Sequence, residues 1–189
     1  MATKAETTYF EGRGPEHTDE TLRLAKKRAD ELGIRRIVVA SATGKTGEMA
    51  VRLFQGASVV VVAGVVGFKQ KNEVRLRENH RAAIEEGGGK ILFAGHAFGM
   101  LGRAVRNAFG AMQVDEIIAN VLRIFGPGVK VCCEVACMAA DAGLVRAGEE
   151  AIAIAGSAHG ADAAVVLKPS NTHTFFDTRI LEIICKPRE

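Results

Sequence analysis

The stretch IRRIVVASATGKTGEMAVRLF, from Ile34 to Phe54, decides how the rest of the chain is read. IRRIVVAS is a β-branched apolar run of strand length, and TGEMAVRLFQ carries helix formers on a helical period. The apolar residues run on without alternating with polar ones, so the strand is covered on both faces. That is the signature of a parallel sheet flanked by helices.

The same two patterns repeat outward in both directions. SVVVVAG (58–64) and KILFAG (90–95) read as strands, and EAIAIAG (150–156), AAVVLKP (163–169) and RILEIIC (179–185) as three late ones. TDETLRLAKKRADELG (18–33) places Leu22, Ala25, Ala29 and Leu32 on one helical face, with Thr18 suited to the N-cap and Gly33 to the stop. NEVRLRENHRAAIEEG (72–87) is a charged helical stretch. Met100 to about Val145 is mostly helical, divided near Gly110 and at the Gly126-Pro127-Gly128 turn. The expected architecture is a three-layer α/β domain with a doubly wound, mostly parallel sheet, its late strands including an antiparallel edge. At 189 residues a single domain is expected, with residues 1–15 as an N-terminal extension.

The loop Ser-Ala-Thr-Gly-Lys-Thr ends like a nucleotide-binding P-loop, but that motif needs a glycine five positions before Gly44. Val39 stands there, inside the strand. The strands VVVVAG, ILFAG and AIAIAG also end without the carboxylate that would hold magnesium, so a conventional nucleoside triphosphatase is excluded. A strand feeding this loop and then a helix still has an obvious use. The first helical amides lack internal partners and point outward at the positive end of the dipole. Gly44 lets the backbone approach an anion, Ser41, Thr43 and Thr46 offer hydroxyls, and Lys45 adds a charge. The loop Ser41, Ala42, Thr43, Gly44, Lys45, Thr46 is thus a candidate cup for a phosphate monoester. The plainer alternative is that Ser41 and Thr43 only cap the helix. In a doubly wound sheet such a loop, at the carboxyl end of a strand, lies at the binding crevice.

Composition narrows the partners. The hydrophobic share is 48% and the charged share 25%, and the net charge of +3 comes from 25 basic and 22 acidic residues interspersed along the chain. No basic stripe argues for nucleic acid, and no face for a membrane surface. The apolar run ASVVVVAGVVGF is too short to span a bilayer. The polar start, MATKAETTYFEGRG, resembles neither a secretory nor a transit signal. Four cysteines, three crowded at Cys132, Cys133 and Cys137, do not form a disulfide framework, so a cytoplasmic setting is expected. The apolar residues of the helices leave room for a homo-oligomeric face.

The segment IVVASATGKTGEMAVRLF resembles the strand, Ser/Thr-rich loop and helix of the pyruvate kinase C-terminal domain, whose loop grips a phosphate of a sugar bisphosphate activator. RAGEEAIAIAG resembles that domain's penultimate strand and TRILEII its last. The likeness covers about Thr18 to Phe54 and Val145 to Glu189 and is weak between. SAHGADAAVVLKPSNTHTFFDT stands where the kinase has a shorter effector loop, so the chain resembles stand-alone proteins of archaeal type related to that domain. The catalytic barrel is not among these residues, and the resemblance implies no pyruvate kinase activity. It does imply flavin mononucleotide (FMN) as the ligand, whose single terminal phosphate suits the cup. It also carries Gly156 and Ser157 to the crevice as the start of the effector-loop segment, and topology places Thr172 and His173 of the insertion there too. Gly64, after the second of these strands, is small enough to let a flat ring approach the backbone. The implied function is binding of a phosphorylated ligand. A flavin-dependent oxidoreductase, or a ligand-sensing module without catalysis, is the alternative.

The remaining candidates read as structural. Cys133 and Cys137 share a helical face while Cys132 points elsewhere. With no CxxC pair or adjacent histidine they are buried thiols, and no metal is expected. His96, in GHAFG after a strand, reads as a loop histidine satisfied by the backbone rather than as a catalytic group. GHAFGMLG lacks dinucleotide-fingerprint spacing. His80, beside Arg75, Arg77 and Arg81 on a charged helix, reads as solvent-facing. Glu134 and Asp141, in an apolar helical run, read as structural carboxylates.

Overall fold

The computed structural model describes residues 2 and 4–188. Seven strands form one sheet in the order β1-β7-β6-β5-β2-β3-β4: β1 Thr8–Phe10, β2 Arg36–Ala40, β3 Ser58–Gly64, β4 Lys90–Phe93, β5 Ala151–Ala155, β6 Ala163–Lys168 and β7 Arg179–Pro187. Six α-helices accompany it: α1 Thr18–Leu32, α2 Lys45–Leu53, α3 Glu78–Glu86, α4 Leu101–Phe109, α5 Val114–Arg123 and α6 Pro127–Asp141.

The strands are buried on both faces, as their unbroken Val/Ile runs require. Ile37 and Val39 of β2 face a cluster formed with Leu22 and Ala25 of α1, Ala50 and Val51 of α2, and Ile84 of α3. Val38 points the other way, with Val60 and Val62 of β3, onto Val135, Met138 and Ala139 of α6. Further along, α6 presents Val129, Cys132 and Ala136 to Ala153, Ala155 and Val165. Helices on both sides of a largely parallel sheet give the three layers expected. Outside α6 lies α5, whose Ala119 packs on Cys133 and Cys137 of α6, and α4 packs on α5 in turn.

The antiparallel element expected among the late strands is present: β6 pairs antiparallel to both β5 and β7, with β7 and the short β1 beyond it. Two details differ from the sequence-based expectation. The N-terminal stretch contains a strand, β1, paired parallel to β7. And the helix expected from Asn72 begins only at Glu78. Asn72 has φ 65°, Leu76 is buried in the core, and the amide of Arg77 donates to the Thr43 carbonyl at 3.2 Å. A residue in the left-handed region cannot continue a right-handed helix, so 72–77 is drawn across the loop after β2 instead.

The strand order places the site. From β2 the chain moves outward through β3 to β4, then returns to the other side of β2 as β5. The loops after β2 and β5 therefore diverge at a switch point, where doubly wound sheets hold their ligands. Among the described residues no helix is long and apolar enough to cross a membrane.

Candidate functional site at the switch point

A cavity of about 290 Å³ opens at the carboxyl ends of β2, β3 and β5. Ser41, Ala42, Thr43 and Thr46 form one wall, Gly64 and Val65 the next, and Gly156 to Gly160 a third. Val131, Glu134, Val135 and Met138 of α6 close the fourth. A second hollow of about 350 Å³ adjoins it, sharing Thr43, Thr46, His159 and Gly160 and adding Lys45, Arg77 and His80.

The loop after β2 divides the two hollows, and its conformation is imposed twice at Gly44. That residue has φ 96°, and a Cβ there would stand 2.5 Å from both Leu76 Cδ1 and His80 Cβ. Any other residue would be strained by its backbone and blocked by its neighbours. Gly44 is the N-cap of α2, so the amides of Lys45, Thr46 and Gly47 have no intrahelical acceptor. The amide of Gly47 donates to Ser41 Oγ at 3.0 Å, while those of Lys45 and Thr46 have no partner among the described residues. Lys45 is exposed and forms no ion pair among the described residues. Ser41 thus caps the helix, as the plainer reading of the sequence allows. A hydroxyl that accepts one bond still has its own hydrogen to donate.

The loop after β5 is held from beneath. Asp162, fully buried, accepts the Ser157 amide at 3.1 Å and the Ser157 hydroxyl at 3.2 Å. Thr18 Oγ1 accepts the amide of Ala161 at 3.0 Å. These bonds hold Gly156 and Ser157 at the cavity, where the sequence reading put them.

Gly64 also lines the cavity, with φ 85°, and its missing side chain leaves His96 Nε2 open: a Cβ there would stand 3.5 Å from that nitrogen. His96 has no hydrogen-bond partner among the described residues; its ring lies 4.7 Å from that of Phe68. This corrects the reading of His96 as a loop histidine satisfied by the backbone. Burial pushes its imidazole below the usual histidine range, with the nearby Lys130 and Arg103 cations acting the same way and Glu134 opposing them.

Glu134 faces the cavity but is engaged within the protein. It accepts the Phe98 amide at 3.0 Å and the Lys130 ammonium at 2.5 Å. Burial pushes the Lys130 ammonium below the usual lysine range, against the pull of Glu134. His80 is not solvent-facing, as the charged helix suggested. Its Nδ1 lies 2.5 Å from Glu48 Oε2, joining α3 to the first turn of α2 and holding the Glu48 carboxyl below its usual range.

Thr172 and His173 lie elsewhere. Asp141 accepts the Thr172 amide at 3.0 Å and hydroxyl at 2.6 Å, and Thr172 lines a different hollow with Leu92, Phe93 and Met138. His173 lines neither cavity of the switch point. Sequence reasoning missed Phe68, Arg75 and His159, which line the cavity from irregular segments where no periodicity marks a face. His159 was the most accessible of them, two residues beyond Ser157. The four cysteines are buried and free, and burial pushes the Cys133 thiol up to about 12 and that of Cys137 to about 11. They pack as small apolar groups, as expected.

The geometry defines a class first: a doubly wound α/β domain with a cavity at its switch point, where α2 begins. The family described as "Pyruvate kinase, alpha/beta domain" matches residues 19–167, and the chain belongs to that family. Among solved structures it is similar to a pyruvate kinase from Cryptosporidium parvum, with 13% sequence identity and a TM-score of 0.36. The match covers 74% of this chain and 20% of that one, so the chain spans about a fifth of the kinase.

Proposed function

We propose that this protein binds a phosphorylated small molecule at the switch point, with FMN as the best-fitting ligand. One observation carries the reading: the amides of Lys45 and Thr46 and the Lys45 ammonium have no partner among the described residues and lie on the loop that divides the two hollows. Such amides at a helix start favour an anion, and the cavities fall near the lower end of the ~300–1,000 Å³ seen for small-ligand sites.

The residues present suit a flavin phosphate. Lys45, Thr46 and the Ser41 hydroxyl would hold the phosphate. The inner cavity, walled by Val131, Val135 and Met138, would take the apolar body of the ring system. The open backbone at Gly64 gives a flat ring close approach. A bound flavin would supply electron transfer. The surrounding residues bind, orient and shield. A cytoplasmic setting fits the four free thiols.

The test is mass spectrometry of whatever co-purifies, followed by titration of FMN into stripped protein. Lys45→Ala should weaken FMN by about 1–2 kcal/mol, the scale of one charge-assisted hydrogen bond. Absence of any melting-temperature shift with FMN or other phosphate esters would overturn the proposal.

A further inference from the structure

Resting on that reading, we infer that His96 is a specificity residue that selects a planar, uncharged heteroaromatic ring with a polar edge. The inner cavity is then a ring site, and the ligand class narrows from phosphate esters in general to those carrying such a ring.

Three observations converge. First, His96 faces the cavity and its ring nitrogens find no partner among the described residues, so a hydrogen-bonding imidazole is left for whatever enters. In a neutral imidazole Nε2 either donates or accepts, according to the tautomer, so it can pair with one carbonyl or one ring nitrogen on the edge of a heteroaromatic ring. Second, the nitrogen is kept open at Gly64. Its positive φ excludes side chains, and a Cβ would cover Nε2 in ordinary contact. A flat group can therefore lie along the end of β3 and present its edge to Nε2. Third, the imidazole is held in place. Phe68 packs on it at 4.7 Å, and the Arg103 guanidinium lies 5.1 Å from the centre of the same Phe68 ring. Glu134, the acid nearest by charge, is already committed to Lys130 and the Phe98 amide. It is not free to pair with the histidine.

The remaining wall accords with this. Val131, Val135 and Met138 offer a ring face an apolar surface, and Glu134 between them is engaged by Lys130 and the Phe98 amide. A bare sugar phosphate entering here would leave this surface unfilled.

The experiment is calorimetric titration of FMN, riboflavin, ribose 5-phosphate and inorganic phosphate into the full chain and into His96→Ala and His96→Gln. Circular dichroism melts check that each variant is folded. FMN should bind about a hundredfold more tightly than ribose 5-phosphate, the scale of burying an aromatic ring system. His96→Ala should lose roughly five- to tenfold for FMN and riboflavin and nothing for ribose 5-phosphate, the scale of one buried hydrogen bond. His96→Gln, which keeps a donor and an acceptor, should regain part of the loss. Ribose 5-phosphate matching FMN, or both variants binding FMN like the wild type, overturns the inference while leaving the phosphate cup intact. Riboflavin matching FMN, with the His96→Ala loss preserved, overturns the cup and supports the ring site. Failure of all four compounds to bind overturns both.

Discussion

Ser41 and Lys45 divide the loop after β2 between them: the hydroxyl serves the fold and the ammonium is left to solvent. Ser41 is buried, and its Oγ takes the Gly47 amide that α2 cannot satisfy itself. Ser41→Ala leaves that amide without its acceptor and should cost about 1 kcal/mol in a urea titration, the ordinary cost of a lost helix cap. An unchanged midpoint would mean the bond contributes nothing. His96 shows the opposite case, a polar side chain with no hydrogen-bond partner among the described residues. Its place on the cavity wall was hard to read from GHAFG because the sequence does not show that β3 ends in a glycine facing it. Gly64 itself was legible as a small residue at a strand end, but its neighbour across the cavity was not.

At the scale of elements, α6 carries the most deeply buried ion pair among the described residues. Lys130 and Glu134, one turn apart, are both buried, and each depends on the other. Glu134→Ala strands an ammonium in the interior and should cost about 3–5 kcal/mol, whereas Lys130→Met with Glu134→Leu together should recover only the part owed to the stranded charge, since the Phe98 amide still lacks its acceptor. Urea unfolding of the single and double variants gives the comparison, and a single variant as stable as the wild type would show that Lys130 reaches water. The elements themselves were read unevenly. The Val/Ile strands β2, β3, β5 and β6 announced themselves, as did the three helices between Leu101 and Asp141. The three-residue β1 sits in a polar stretch and is made by pairing with β7, a long-range event that local pattern does not encode. Residues 72–77 carry helix formers, yet the burial of Leu76 and the bond from Arg77 to Thr43 outweigh that propensity. Thr172 followed the same logic: Asp141 holds it at the end of α6, away from the crevice.

For the whole molecule, unfolding reports the lowered pKa of His96. In the native state its imidazole resists protonation, while in the unfolded chain it titrates near 6.5. Between those values the unfolded chain binds the extra proton, so stability falls as pH drops below 6.5 and levels off beneath the native value. This window lies above that of Glu48 and Glu182, whose carboxyls are held below 4.5 by His80 and Arg28, and whose contribution is lost only in stronger acid. Melting temperatures from pH 7 to 5 should therefore decline in the wild type and decline less in His96→Gln. Identical profiles would show that the imidazole is as free to take a proton in the fold as outside it.

The reversal of β6 makes one rim of the switch-point cavity easy to vary. Because β6 runs back beside β5, the segment from Gly156 to Asp162 is a hairpin tip rather than the start of a crossover helix. Hairpin tips accept insertions at little entropic cost, since doubling a loop adds only about 0.6 kcal/mol. That rim of the cavity can therefore lengthen or shorten while the seven-strand order and the start of α2 stay as they are.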